Sequence, residues 1–89
     1  MAFETEEEET LSTTQTKPSI FGQRLKAAME LREIKAYPLG NKSGIDPSTI
    51  YNFVNGESEW PNGYTLRQLS SELNISADYL LGLNELPER

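Results

Sequence analysis

The sequence contains neither cysteine nor histidine. Without cysteine no disulfide can cross-link the chain and no thiolate can bind a metal ion, and without histidine the commonest general base of enzymes is missing. No glycine-rich nucleotide-binding loop is present, and a domain this small has little room for a pocket that excludes water. We therefore expect no enzyme activity, no metal site and no cofactor.

Long apolar runs are also missing. No stretch approaches the roughly 18 consecutive apolar residues that a membrane-spanning helix needs. The first residues lack the basic segment followed by an apolar one that marks a secretory signal peptide. We therefore expect a cytoplasmic protein that does not contact a membrane.

Basic residues are fewer than acidic ones. The chain has 8 lysines and arginines against 14 aspartates and glutamates, for a net charge of −6. Glu4 and Glu6 to Glu9 all precede the first basic residue, Lys17. From Pro18 onward nine acidic and seven basic residues leave a net charge of −2. This near-neutral part of the chain permits DNA binding but predicts weak nonspecific attraction to phosphate.

Residues 1–17 combine the glutamate run with serine- and threonine-rich sequence, and they show no sustained apolar period. Such a composition predicts a disordered acidic tail. Two interpretations of the tail stay open. It either keeps the protein soluble, or it acts as a polyanion that competes with DNA or docks on a protein partner.

The folded part is expected over residues 18–84 and begins with a helix. Ser19 is a suitable N-cap, and Phe21, Leu25 and Ala28 fall on one stripe of a helix that runs to about Glu33.

A second helix is the least supported by local sequence. It has to form from residues 37–43, where Pro38 is tolerated only in the first turn. Gly40 costs about 1 kcal/mol relative to alanine in a helix interior. Propensity alone therefore favours a loop at this point, and Gly44 then suits a left-handed turn.

A third helix has the clearest signals. Asp46 can cap it, Pro47 fits its first position and Gly56 can end it. Its inward-facing residues are expected to be Ile50, Phe53 and Val54.

Two further helices complete the predicted domain. Thr65 is expected to cap the fourth, whose apolar face carries Leu66, Leu69 and Leu73, and Asn74 is expected to end it. Ser76 is expected to cap a short fifth helix over residues 77–81. Residues 85–89 are expected to be frayed.

Apolar residues near the ends of these elements have their own expected roles. Trp60, in the loop over residues 57–63, is expected to pack onto the core. An exposed apolar strip that serves a homodimer is expected from Tyr79, Leu80, Leu83 and Leu86, although Leu80 fits the core equally well.

The second and third helices together match the pattern of a helix-turn-helix, which joins two short helices by a tight turn that often contains glycine. Counted from Ala36, the residues at the fifth, ninth, tenth and fifteenth positions of the unit are Gly40, Gly44, Ile45 and Ile50. Gly44 suits the turn, where a side chain would clash, and Leu39 and Ile45 are expected to pack beneath it. Ile50 is expected to anchor the third helix so that its other faces stay free.

The chain resembles the Cro and phage-repressor family of transcriptional regulators over about residues 20–83. The matching stretches are Phe21-Gly-Gln-Arg-Leu-Lys26, Ser43-Gly-Ile45, Val54-Asn-Gly56, Trp60-Pro61, Thr65-Leu66, Leu69-Ser-Ser-Glu-Leu-Asn-Ile-Ser76 and Ala77-Asp-Tyr-Leu-Leu-Gly82. The resemblance implies a compact all-α domain of five helices. It also implies a sequence-specific regulator, a repressor of phage or mobile-element type, that binds double-stranded DNA as a homodimer.

Within this resemblance, residues 46–55 form the recognition helix that enters the major groove. Base contacts are then expected from Ser48, Thr49 and Asn52, of which Asn52 can bind an adenine edge through two hydrogen bonds. Contacts to the DNA backbone are expected from Arg24, Lys42, Tyr51 and Asn55, and a weaker one from Lys35. The simpler interpretation is that the polar residues of this helix only face solvent.

An alternative function uses the same fold as a protein-binding module, an antirepressor or a regulator partner with weak or no DNA binding. The predicted recognition helix has no lysine or arginine. Lys35 and Ala36 stand where the family has a small capping residue followed by glutamine. Together with the acidic tail, these features favour the alternative.

Overall fold

The computed structural model describes residues 18–88. This part of the chain folds into five α-helices and has no strand. The helices are α1 (Ile20–Arg32), α2 (Ala36–Ser43), α3 (Pro47–Asn55), α4 (Gly63–Leu73) and α5 (Ala77–Leu80). The prediction of an all-α domain of five helices is confirmed. The predicted tail over residues 1–17 lies outside the described residues.

Helix α1 begins and ends as its sequence predicts. The Ser19 hydroxyl accepts a hydrogen bond from the Gly22 amide at 3.2 Å, and Glu33 closes the helix in a left-handed conformation with a φ of +56°. The stripe formed by Phe21, Leu25 and Ala28 is buried. One face of α1 therefore belongs to the core from Phe21 to Ala28.

Helix α2 forms although local propensity favours a loop. Ala36 and Leu39 are buried, and Leu39 is completely inaccessible to solvent. Gly40 allows α2 to approach the start of α3, because a Cβ atom there would lie 2.6 Å from the Ile45 carbonyl oxygen and 2.8 Å from Pro47 Cγ. The glycine that costs helix propensity is thus required by the packing of the two helices.

Helix α3 follows its predicted boundaries. The Asp46 carboxylate accepts a hydrogen bond from the Ser48 amide at 2.9 Å, and Pro47 occupies the first turn. Gly56 ends the helix with a φ of +87°. Ile50 and Phe53 are buried, whereas Val54 is only partly covered.

The N-terminus of α4 differs from its prediction. Asn62, rather than Thr65, is the N-cap, and its side-chain oxygen accepts a hydrogen bond from the Thr65 amide at 2.7 Å. Thr65 lies inside the helix and is buried. Asn74 ends α4 in a left-handed conformation, as expected.

The short helix α5 is capped by Ser76, whose hydroxyl accepts a hydrogen bond from the Tyr79 amide at 3.2 Å. It ends at Leu80, one residue earlier than predicted.

All five helices contribute to one apolar core. Its buried residues are Phe21, Leu25, Ala28, Ala36, Leu39, Ile45, Ile50, Phe53, Leu69, Leu73, Ile75 and Leu80. The rings of Phe21 and Phe53 meet edge to face with centroids 4.9 Å apart, an arrangement that aromatic pairs favour. This contact fixes α3 against α1.

Several apolar side chains outside this core are exposed. Trp60 is 53% exposed, so the prediction that it packs onto the core is wrong. Leu80 belongs to the core and Tyr79 is partly buried against it, whereas Leu83 and Leu86 are exposed. Only the last two therefore remain candidates for an apolar strip at the surface.

Residues after α5 have no regular structure, but they contact the domain. The Pro87 carbonyl accepts a hydrogen bond from the Ser76 amide at 2.8 Å, and Asn84 accepts one from Arg24. The described part of this segment thus differs from the frayed end that we expected. Within residues 18–88, no helix is both long and apolar enough to cross a membrane.

Candidate nucleic-acid interface

A tight turn joins α2 to α3. Gly44 adopts the left-handed conformation with a φ of +80° and donates a hydrogen bond to the Gly40 carbonyl at 2.9 Å. The Ile45 amide donates to the same carbonyl at 3.2 Å and to the Ser43 hydroxyl at 3.3 Å. Because Ile45 is buried beneath the turn, the two helices are held at a fixed angle.

Helix α3 directs one polar face away from the core. Ile50 and Phe53 anchor its opposite side, which leaves Ser48, Tyr51, Asn52 and Asn55 on the outside; we call these four residues the polar face of α3. Ser48, Tyr51 and Asn55 are exposed, and Asn52 is partly buried. Thr49 lies at the edge of this face and is also partly buried. Four of the predicted DNA contacts are thus adjacent on one surface.

Asp46 is tied to the first residue of the polar face. The Ser48 amide and the Ser48 hydroxyl each donate a hydrogen bond of 2.9 Å to the same carboxylate oxygen. Both bonds hold the pKa of Asp46 below its ordinary value of 3.8, and the bond from the Ser48 backbone amide has the larger effect. A negative charge therefore sits at the N-terminus of α3 at neutral pH, where the helix dipole favours it.

The other end of the polar face is tied to Glu57. One side of the Asn52 amide group faces two acceptors, so the amide nitrogen, rather than the oxygen, is assigned to that side. In this orientation the nitrogen donates to the Ser48 carbonyl at 3.2 Å and to Glu57 Oε1 at 3.0 Å. The Glu57 amide donates in turn to the Asn52 carbonyl at 2.8 Å, so the chain turn after α3 brings the two residues together.

Arg24, which we predicted to contact phosphate, does not belong to this surface. Its guanidinium donates to the Tyr79 and Asn84 carbonyls at 3.1 and 2.9 Å and forms an ion pair with Glu85 at 3.4 Å. It also lies over the Tyr79 ring, 4.5 Å from the centroid. These contacts attach α1 to α5 and to the segment that follows it, and a contact of Arg24 with phosphate stays a prediction.

Lys42 is exposed, but it does not lie beside the polar face of α3. Gly40 is the α2 residue that packs against the start of α3. Because residues two positions apart point to nearly opposite sides of a helix, Lys42 projects away from α3.

Two basic residues share a groove with Tyr51. The sequence analysis did not select Lys26, and it expected Lys35 only as a weaker phosphate contact than Arg24 and Lys42. Lys26 and Lys35 line a groove of about 620 Å³ between α1 and α3, to which Tyr51 also contributes. Its remaining lining residues are Met29, Glu30, Glu33, Ile34, Ala36 and Val54. The position of Lys35 immediately before α2 favours this phosphate contact, because helix N-termini bind phosphate.

The polar face carries no basic residue of its own and is bounded by acidic ones. Asp46 precedes it, Glu57 and Glu59 follow it, and the two acidic groups Glu30 and Glu33 lie across the groove. Within residues 18–88, no three side chains of the types that bind metals come together. The polar face of α3 itself therefore offers hydrogen-bonding groups rather than charged groups.

Comparison with known proteins identifies the architecture. A family model described as helix-turn-helix matches residues 25–80. Among solved structures, the P22 c2 repressor, crystallised in complex with a synthetic operator in the presence of Tl⁺, is similar to this chain. It is 33% identical with a TM-score of 0.65, and the match covers 78% of this chain and 100% of that one.

A search of curated proteins finds no significant match. The family model alone extends over well more than half of the chain and spans α2, the turn and α3. The chain therefore belongs to the helix-turn-helix family of the Cro/C1 type.

Proposed function

We propose that this protein is a sequence-specific DNA-binding transcriptional regulator that inserts α3 into the major groove. The observation that carries the proposal is the exposed polar face of α3, held away from the core by Ile50 and Phe53. The similarity to a repressor that was crystallised with operator DNA supports it. By the same similarity we propose a repressor of phage or mobile-element type.

The residues of the polar face take different roles in this proposal. Ser48, Thr49 and Asn52 contact base edges, because residues near the start of a recognition helix reach deepest into the groove. Tyr51 and Asn55 contact the sugar-phosphate backbone beside them.

We propose that α2 binds a DNA phosphate at its N-terminus. No side chain caps this helix among the described residues, so its first amide groups point outward with the positive end of the helix dipole. Lys35 precedes these amides and adds a full charge. Lys42, at the other end of α2, stays a predicted phosphate contact of lesser weight because it projects away from α3.

Homodimerisation is proposed through the segment after α5. Leu83 and Leu86 are 75% and 62% exposed, and an exposed apolar patch on a folded protein is typical of an interaction surface. A two-fold dimer would present two copies of α3 to adjacent half-sites of a palindromic operator.

The salt dependence of binding tests the DNA function. A duplex enriched from a random library by the full chain is titrated by fluorescence anisotropy at several salt concentrations. Each phosphate contact contributes about −0.9 to the slope of log affinity against log salt, so we expect Lys35→Ala to reduce the slope by about 1.

Arg67→Ala provides the matched control. Arg67 is exposed on α4 and lines a different surface with Ser70, Ser71 and Ala77, so its loss changes the net charge equally without removing a predicted contact. A slope near zero for the wild-type protein, or no enriched duplex, would contradict the proposed function.

The second candidate function is a protein-binding module on the same fold. The acidic residues at both ends of α3 favour it, because Asp46 and Glu57 oppose the approach of DNA phosphates. A protein surface rich in hydrogen-bond donors would suit the same polar face. This function is favoured if the full chain enriches no duplex at low salt.

A further inference from the structure

Two side chains on the polar face of α3 have already used their hydrogen-bond donors within the protein. The single hydroxyl proton of Ser48 is donated to Asp46 at 2.9 Å. Both amide hydrogens of Asn52 have acceptors, the Ser48 carbonyl at 3.2 Å and Glu57 Oε1 at 3.0 Å. What remains free on each side chain is an acceptor, the Ser48 Oγ lone pairs and the Asn52 Oδ1 oxygen.

We infer that Asp46 and Glu57 determine base preference by making this part of the interface accept hydrogen bonds only. The inference rests on the proposed function. The major-groove edges that offer donors are the N6 amino group of adenine and the N4 amino group of cytosine. The protein therefore selects adenine or cytosine opposite Ser48 and Asn52.

Guanine is disfavoured at the same positions. Its major-groove edge carries two acceptors, O6 and N7, which would face the acceptors of Ser48 and Asn52. Acceptors that lose water without gaining a donor destabilise a complex. The protein thus discriminates against guanine although no contact selects one particular base.

In this arrangement Asn52 does not discriminate strongly between adenine and cytosine. An asparagine that distinguishes adenine uses its amide nitrogen on N7 and its amide oxygen on N6 together. Here Glu57 holds the nitrogen, so only the oxygen is offered and either amino group satisfies it. Glu57 is accordingly a positioning residue, which acts through Asn52.

The Asn52–Glu57 pair is built into the end of α3. The Glu57 and Ser58 amides both donate to the Asn52 carbonyl, at 2.8 and 3.1 Å, as the chain turns through Gly56. This turn holds the Glu57 side chain beside Asn52 before any ligand binds. A hydrogen bond to a carboxylate is also stronger than one between neutral groups, so the pair persists when DNA excludes water.

Selection from a random duplex library with the full chain tests the inference. The wild-type protein is expected to enrich adenine and cytosine, and to deplete guanine, at the position opposite Asn52. Glu57→Ala frees one amide hydrogen of Asn52 for the N7 of adenine, so the ratio of adenine to cytosine there should rise at least about fivefold, equivalent to about 1 kcal/mol.

Glu59→Ala is the matched control for charge. Glu59 lies in the same loop, and its recorded hydrogen bond uses the backbone carbonyl, which accepts from the Ser19 hydroxyl. Both variants remove one negative charge and should bind duplex more tightly. Only Glu57→Ala should change the base ratio; an equal change in both, or none in either, overturns the inference and leaves DNA binding intact.

The hydrogen bond itself is tested on the free protein. In ¹⁵N–¹H spectra, the side-chain amide protons of Asn52 should exchange with water faster in Glu57→Ala than in the wild type or in Glu59→Ala. Equal exchange in all three proteins overturns the inference. If exchange differs but no variant enriches any duplex, the proposed DNA function fails, and the base preference fails with it.

Discussion

At the scale of single residues, Asp46 serves two structural purposes. It caps α3 by accepting the Ser48 amide, and it orients the Ser48 hydroxyl through the same oxygen. Both bonds strengthen when the carboxyl is ionised, which is why its pKa is lowered in the folded protein. Stability and the chemistry of the polar face are therefore coupled at this residue.

Replacing Asp46 with asparagine keeps a capping oxygen but removes the charge. Because the folded-state pKa is lowered, the carboxylate stabilises the protein at pH above its ordinary value of 3.8, and this stabilisation is lost as the pH falls through the lower folded value. We expect Asp46→Asn to have a lower free energy of unfolding than the wild type at neutral pH, with the difference shrinking below pH 3.8.

Urea unfolding followed by circular dichroism measures this difference at each pH. Glu59→Gln removes the same charge from a residue that caps no helix, so it serves as the control. A difference between Asp46→Asn and the wild type that stays constant from neutral to acidic pH would contradict the account of Asp46.

At the scale of elements, α2 depends on its contact with α3. Gly40 lies against the Ile45 carbonyl and the Pro47 ring, where a methyl group would meet atoms at 2.6 to 3.0 Å. Proline at the first position of α3 and glycine in α2 are thus complementary in shape. At position 40, intrinsic helix propensity favours alanine whereas packing against α3 requires glycine. The packing determines which of the two residues fits.

Gly40→Ala should therefore destabilise the protein although alanine is the better helix former. We expect a loss of about 1 to 3 kcal/mol in the free energy of unfolding, the usual result of overpacking. Gly63→Ala is the control, because a Cβ atom at Gly63, in the first turn of α4, meets nothing within 4 Å among the described atoms.

The control variant should be neutral or more stable by up to about 1 kcal/mol. Chemical denaturation of the two variants and the wild type under one set of conditions provides the comparison. Equal stability of Gly40→Ala and Gly63→Ala would show that α2 and α3 can move apart at Gly40 with no loss in the free energy of unfolding.

At the scale of the whole molecule, charge is distributed unevenly along the chain. The full sequence has a net charge of −6, whereas residues 18–89 carry −2. The glutamates that make this difference precede the domain that contains the core and the polar face of α3. Long-range repulsion from DNA is therefore expected to come mainly from residues 1–17.

Deleting residues 1–17 should strengthen binding to duplex DNA. We expect the affinity to rise on the order of threefold to tenfold at low salt, because repulsion by the glutamates is removed, and the gain to fade at high salt. Fluorescence anisotropy with one duplex at both salt concentrations measures it.

A full-length variant in which Glu6 to Glu9 are replaced by glutamine separates charge from chain length. It should reproduce most of the gain if repulsion is the cause. Equal affinity of all three proteins at low salt would assign residues 1–17 no part in DNA binding.

Local sequence was sufficient to predict most helix boundaries and the polar face of α3. Ser19, Asp46 and Ser76 cap helices through their own side chains, and Gly44 and Gly56 take left-handed turns that glycine adopts without strain. Such signals act within a few residues, so they can be interpreted without knowing the fold. The same is true of the spacing that buries Ile50 and Phe53.

Tertiary structure decided what depends on neighbours distant in sequence. Helix α2 forms because Leu39 is buried by other elements, and Arg24 is occupied by α5 and the segment after it. One amide hydrogen of Asn52 is taken by Glu57 only because the chain turns back after α3. Sequence determined which groups stand on the polar face, whereas the surrounding structure determined which of their hydrogen bonds remain free, since a donor can be used only once.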